Sequence, residues 1–460
     1  MAKNQDKIQI TKEDGIDIDL LFKYANDAED KKDYKRAFEY YKLVANQGNA
    51  FAQFKVGKFY HEGYVEKNYS EAVRWYCKAA EQGDVRAQNN LGVCYDLGLG
   101  VNKNEIEAAK WLLKSAEQGE AVPQFNIARC YEKGKGVEKS EFEAVKWYRK
   151  SAEQGCARAQ FKLGECYENG YGVEENLVEA VKWYRKSAEQ GHARAQFKLG
   201  ACYENGYGVD EDLEEAIRWY RTSAECRNVY AQFKIGNCYK KGYGVEEDVK
   251  EAVKWFLKSA RSGFELAQLA LAYCYMNGEG VDKNEVEVVK WCRRAAWRGS
   301  VKAQCALGYC YERGIGVDKD EHEAVKWYYE SAEQGNAIAQ FKVGEFFENG
   351  YGVEENVEEA IMWYKKSAEQ GNEDAQFNLG ECYEKGNGID KNEFEAVKWY
   401  RKSAFRGHEK AQYKLGWCYE NAYGVERDEE EALRWYSKAA EQNSDEAKQS
   451  IIRIVSARYK

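Results

Sequence analysis

The stretch CARAQFKLGECYENGYGVEENLVEAVKWYRKSAEQG, residues 156–191, decides the fold. At about 100° per residue, Ala159, Gln160, Leu163, Gly164, Cys166 and Tyr167 fall on one arc of a helix running from Ala157 to Asn169. Gly170-Tyr171-Gly172 ends that helix, because glycine takes the positive φ of a C-terminal cap without steric penalty. Asn176 then stands as the N-cap of a second helix, with Glu179 three residues on in the layout of a capping box. Ala180, Val181, Trp183, Tyr184, Ser187 and Ala188 share one arc of this helix, and Lys182, Arg185, Lys186 and Glu189 the other. Gly191 stops it.

The same pattern recurs along the chain. Trp falls at 75, 111, 147, 183, 219, 255, 291, 327, 363, 399 and 435, an unbroken 36-residue period. An Ala-Gln pair keeps step from Ala52-Gln53 to Ala411-Gln412, broken at Pro123-Gln124. The N-cap slot holds Asn, Asp or Ser throughout, from Asn68 to Asp428, and the slot three residues later is always Glu, from Glu71 to Glu431. Neither helix of such a unit can bury its stripe alone, so units must stack. The expectation is an all-α, α/α solenoid of twelve 36-residue antiparallel helix pairs, counting from Tyr40 to Trp435, with a C-terminal capping helix. It divides into a polar segment at 1–16, the solenoid at 17–443 with a degenerate first pair at 17–48, and the cap at 444–460. Ala37, Tyr40 and Tyr41 take the places of the later Ala, Trp and Tyr, while Ile451, Ile452, Ile454 and Val455 are expected to cover the last pair.

Composition narrows the function classes. A net charge of -9 opposes nucleic-acid binding. The stretch from Met1 to Ile16 has no apolar signal region, and no run approaches the ~18 apolar residues of a membrane span. The expected location is therefore cytoplasmic, with the 14 cysteines as free thiols.

No catalytic constellation emerges. The ladder Cys94, Cys130, Cys166, Cys202, Cys238, Cys274, Cys310, Cys382 and Cys418 lies on a buried arc, and Phe59 and Phe346 replace it in two units. Equivalent positions of stacked units stand about 8–10 Å apart, beyond the roughly 7 Å Cα limit of a disulfide. His61, His192, His322 and His408 have no partner at metal-motif spacing; His192 and His408 share a capping slot with Asn336 and Asn372. Gly134-Lys135-Gly136 and its counterparts lack the third glycine of a dinucleotide fingerprint and the Gly-Lys-Ser/Thr of a P-loop. The carboxylate pair Glu174-Glu175 sits in a loop with no apolar pocket to raise a pKa. No metal or cofactor is expected. The glutamines from Gln53 to Gln412 face inward and need backbone partners.

Leu163-Gly164, Tyr167-Glu168-Asn169-Gly170-Tyr171-Gly172-Val173, Glu179-Ala180-Val181-Lys182-Trp183-Tyr184 and Ser187-Ala188-Glu189-Gln190-Gly191 together resemble the Sel-1-like repeat, a relative of the tetratricopeptide repeat. The resemblance spans Asp17 to Lys460. It implies a right-handed superhelix whose first (A) helices line the concave side. It also implies adaptor work in signalling, protein quality control or host–microbe complexes. A cysteine-rich secreted branch of the family, with an intra-repeat disulfide, has been linked to β-lactam chemistry, so a hydrolase acting on cell-wall or β-lactam compounds is the alternative. That branch's cysteines fall in slots held here by Ala188 and Gln196, so its chemistry does not carry over.

A partner is then expected on the exposed arc of helix A, which is Arg158, Lys162, Glu165 and Asn169 in the quoted unit. Along this arc Arg158, Lys162, Arg194, Lys198 and Lys234 form a basic run suited to an acidic or phosphorylated segment of a protein or peptide. The middle units offer Tyr230, Leu266, Ala270, Tyr273, Ala306, Tyr309 and Ile338, with Trp297 at the border. Aromatic anchors within a charged rim are what protein interfaces favour.

Overall fold

The computed structural model describes residues 18–458; the polar segment at 1–16 lies outside them. The described residues form 25 α-helices and no strand. The first pair is α1 (Ile18–Asp30) and α2 (Tyr34–Asn46), followed by α3 (Ala50–Glu62), α4 (Tyr69–Glu81), α5 (Val85–Leu97) and α6 (Glu105–Ala116). Next come α7 (Ala121–Lys133), α8 (Glu141–Glu153), α9 (Ala157–Asn169), α10 (Leu177–Glu189), α11 (Ala193–Asn205) and α12 (Leu213–Glu225). The series continues with α13 (Val229–Lys241), α14 (Val249–Arg261), α15 (Glu265–Asn277), α16 (Glu285–Ala296), α17 (Val301–Arg313) and α18 (Glu321–Glu333). It closes with α19 (Ala337–Asn349), α20 (Val357–Glu369), α21 (Glu373–Lys385), α22 (Glu393–Phe405), α23 (Glu409–Glu420), α24 (Glu429–Glu441) and α25 (Asp445–Arg458). Odd-numbered helices up to α23 are the A helices and their even-numbered partners the B helices of twelve pairs. The chain forms two compact units that divide inside α13, at the Ala231–Gln232 bond. Within the first, α1 to α12 pack each on the next; within the second, α14 to α25 do the same.

Local chemistry explains each boundary. Gly170 closes α9 at φ 70°, its N–H donating to the Cys166 carbonyl. The second glycine of the loop has a different task. A Cβ on Gly172 would collide with the carbonyl oxygen of Glu141, so only glycine lets this loop lie against the preceding B helix. Asn176 accepts the Glu179 N–H at 3.0 Å and starts α10. The capping box is only half formed. The Asn176 N–H donates to the Tyr167 carbonyl at 2.9 Å, so Glu179 has no backbone donor to reach back to and pairs with Lys182 at 2.6 Å instead. Ser140 and Glu143 repeat the substitution, with the Ser140 N–H on Tyr131 and Glu143 on Lys146.

Two hydrogen-bond ladders tie the helices together. Gln160 is buried in α9; its amide donates to the Ala152 carbonyl at 3.1 Å and its oxygen accepts from the Gln190 amide at 2.7 Å. The buried Ser187 hydroxyl donates to the Ala157 carbonyl at 2.7 Å. Apolar packing fills the rest, with Ala159, Leu163, Cys166, Val181, Trp183 and Tyr184 all buried. Gly164 leaves room for the Tyr184 ring, whose Cδ1 lies 2.6 Å from where a Cβ would be.

The ends close in part as their composition suggests. Ala37 and Tyr41 are fully buried in the first pair, and Tyr40 is half-buried against Tyr24. In α25, Ala447, Ser450 and Ile454 are buried and Ile451 half-buried, a stripe at i, i+3, i+4, i+7. Ile452 and Val455, expected to cover the last pair, instead face solvent, because at about 100° per residue Ile452 falls off that stripe and Val455 at its edge.

Candidate interaction surface on the A helices

A polar relay joins successive repeats. The buried Tyr184 hydroxyl of α10 donates to Glu168 of α9 at 2.6 Å, and Lys198 of α11 binds the same carboxylate at 2.8 Å. In the second unit Tyr328, Glu312 and Lys342 repeat it, at 2.6 Å and 3.2 Å. Burial first, and then Glu168, push the Tyr184 phenol far above its ordinary value. Against the pull of burial, Glu165 and Glu132 hold the Lys162 ammonium above its usual range.

This relay alters the meaning of the basic run. Lys162 sits between Glu132 and Glu165 at 3.1 and 3.0 Å, and Lys198 is held by Glu168. Both are therefore neutralised within the protein. Arg158 and Arg194 are exposed, the former with its guanidinium 4.5 Å from the Phe125 ring centroid. With Arg129, Lys133 and Glu132 they line a surface cleft of about 450 Å³. Lys234 belongs to the second unit, on α13.

In the second unit two consecutive repeats replace the relay in concert. Where Glu, Tyr and Lys are expected, the first has Lys240, Phe256 and Ala270, and the next has Met276, Cys292 and Ala306. A partly buried carboxylate that loses both its hydroxyl and its ammonium partner is destabilised, and here all three positions change; where only the lysine is replaced, by Asn378, Glu348 stays and keeps its bond from Tyr364. Removing the lysines leaves an apolar face on α15 and α17. Ala270 and Ala306 are half-buried, while Tyr273 is 54% and Tyr309 45% exposed. Leu266 and Ile338 add aliphatic surface on α15 and α19. Cations edge the face, with Lys240 4.4 Å from the Tyr273 ring centroid and paired with Glu279 at 2.7 Å, and Arg313 5.9 Å from the Tyr309 ring. Tyr230 is exposed on the part of α13 that belongs to the first unit. Trp297 stands apart from the A helices, as the C-cap of α16, with 72% of its surface exposed.

The relay was missed in the sequence because its members lie 16 and 30 residues apart on three helices. The signal was there to find, in three slots that change together at these two repeats, as they also do at Asp96, Leu112 and Asn126 in the first unit. A second small-for-large exchange accompanies it. Ala272 stands in the glycine slot opposite Cys292, which stands in the tyrosine slot. Cys292 and Cys310 are buried thiols, and the interaction with Cys310, then burial, push the Cys292 thiol up. The remaining candidates are structural. His192 and His408 accept N–H bonds from Ala195 and Ala411 through Nδ1 and lie on the rings of Phe161 and Phe377. Among the described residues no group of three or more His, Cys, Asp or Glu could hold a metal ion, and no helix is long and apolar enough to cross a membrane.

Comparison with known proteins agrees with this architecture. The Sel1 repeat family model matches twelve consecutive segments, from residues 24–49 to 409–444. A protective antigen of uropathogenic Escherichia coli displaying an SLR fold is 35% identical, over 91% of this chain and 90% of that one, with a TM-score of 0.74. A Sel1 repeat protein from Oxalobacter formigenes is 30% identical over 68% of this chain and 94% of its own, with a TM-score of 0.56. No match is found among curated proteins. With its repeats matched end to end and the helix pairs in place, the chain belongs to the Sel1 repeat family.

Proposed function

We propose that the chain is a non-catalytic scaffold that holds a protein or peptide on the A-helix face built from α15, α17 and α19. One observation carries this reading. Two adjacent repeats give up the Tyr–Glu–Lys relay together and present Tyr273 and Tyr309 on an apolar ground. An exposed cluster of this kind suits an interface core with its cationic rim. The cleft at Arg158 and Arg194 is a lesser candidate, for an acidic segment, since two of its neighbouring lysines are already paired.

The test is affinity capture from a lysate of the source cells, comparing wild type with the Tyr273→Asp/Tyr309→Asp variant by mass spectrometry. The variant keeps its helical content and loses the partners that wild type retains. Capture of the same proteins with full affinity would place binding elsewhere. Turnover of nitrocefin above background would contradict the non-catalytic reading.

A further inference from the structure

The C-terminal ends of the B helices repeat a polar signature, Glu-Gln-Gly, as at Glu153-Gln154-Gly155. The glutamine closes a hydrogen bond, Gln154 Nε2 donating to the buried Gln124 Oε1 at 2.8 Å. Between the ends of α6 and α8 lies a groove of about 510 Å³ whose lining includes Glu117, Gln124, Trp147, Lys150, Glu153 and Gln154. The same slots at the ends of α14 and α16 hold Arg261, Gln268, Trp291, Arg294, Trp297 and Arg298. Both acids have become Arg or Trp, and the amide donor has become a guanidinium.

These exchanges worsen the internal bonding of the repeat. Gln268 is buried and its Oε1 has no donor. Arg298 reaches instead to the Gly263 carbonyl at 2.9 Å, while Arg294 keeps on Trp291, at 4.8 Å from the ring centroid, the contact that Lys150 makes on Trp147. Arg261 is exposed, and none of these three guanidiniums makes an ion pair among the described residues. Trp297 leaves most of its indole in water. Compensation of the helix dipole does not account for this, since Lys258 and Arg293 already place a cation in the last turns of α14 and α16. Elements that break the local rules of a fold mark functional positions. The end of α22 gives a contrast within the same chain. There Phe405 and Arg406 fill the Trp297 and Arg298 slots, Phe405 is likewise exposed and the buried Gln376 Oε1 likewise lacks a donor, but Phe405 packs edge-on against Trp435 and Glu369 keeps the acidic slot.

We propose that the surface formed by these slots at the C-terminal ends of α14 and α16 binds an acidic segment of a partner protein. Its carboxylates pair with Arg261, Arg294 and Arg298, and an apolar side chain lies on Trp297. Three unpaired guanidiniums in a chain of net charge -9 supply the complementarity, and their forked donors match carboxylates two at a time. Arg beside exposed Trp is the pairing that protein interfaces use as anchors. The inference rests on the chain being a protein binder, and is independent of the Tyr273–Tyr309 face.

The test uses a fluorescein-labelled peptide of Asp, Glu and Leu, read by anisotropy against the full chain. Wild type binds it, more weakly as salt rises. The variant Arg261→Glu/Trp297→Glu/Arg298→Gln carries the residues that other repeats have at these slots; it melts no lower than wild type and binds roughly ten-fold or more weakly. R406Q and the Tyr273→Asp/Tyr309→Asp variant bind like wild type, so that failure here is separable from failure of the A-helix face. Absence of binding by wild type, equal binding by the triple variant, or equal binding of a peptide with Lys in place of the acids would each overturn the proposal. Full displacement of the peptide by a single-stranded oligonucleotide of matched charge would assign this surface to nucleic acid and overturn it too.

Discussion

Cys226 shows how one side chain is felt across a repeat. It caps α12 in the slot that Gln154 and Gln190 fill elsewhere, and the buried Gln196 Oε1 is left without a donor. Cys226→Gln restores the bond and is expected to raise stability by about 0.5–1.5 kcal/mol in urea unfolding; an unchanged or lower midpoint would refute the ladder as described. The histidine caps carry a pH signature. Burial lowers both His192 and His408 below their ordinary 6.5, against the pull of Asp374 on His408, and the Nδ1 acceptor exists only in the neutral ring. A depressed folded pKa contributes stability above the unfolded value and loses it as pH falls. Thermal stability therefore drops as pH goes below 6.5, and His192→Asn/His408→Asn, which copies the cap Asn336, flattens that acid limb.

At the scale of helices and loops, the sequence was most legible where one residue does one local job. The Asn/Asp caps, the glycine stops and the arc of α10 all follow from spacing alone. The reciprocal half of the capping box did not, because the tyrosine carbonyl of the preceding A helix takes the cap N–H and this partner is nine residues upstream in a folded loop. The same loop yields a prediction. Ala422 occupies a glycine slot at φ 55°, a left-handed conformation that is unfavourable for a residue with a Cβ by roughly 1–2 kcal/mol. Ala422→Gly should raise the melting temperature, and a lowered one would mean the loop of α23 is held by something other than its backbone. The candidate site was legible as a list of exposed residues on the A helices. Its cause was not, because the relay that those repeats lack joins slots that meet only once helices stack.

For the whole molecule, burial makes the thiols a reservoir of alkaline sensitivity. Cys94, Cys130 and Cys202 are pushed up to about 11, and Cys166, Cys382 and Cys418 to about 12. The native state keeps these protons where the unfolded chain, at 9.0, releases them. Their contribution is complete below pH 9 and is lost as pH rises toward 12, so stability should hold to the ordinary thiol value and fall beyond it. In the native protein at neutral pH, a thiol reagent should label exposed Cys226 well before the buried ladder. The central claim, that the middle repeats gave up the Tyr–Glu–Lys relay to present a binding face, is tested most directly by rebuilding it. Lys240→Glu/Phe256→Tyr/Ala270→Lys reinstates the residues of the repeats that carry the relay, such as Glu312, Tyr328 and Lys342, and should remain folded by circular dichroism. Measured against a partner captured by wild type, its affinity should fall by roughly ten-fold or more; a folded variant that binds as tightly as wild type would contradict the account.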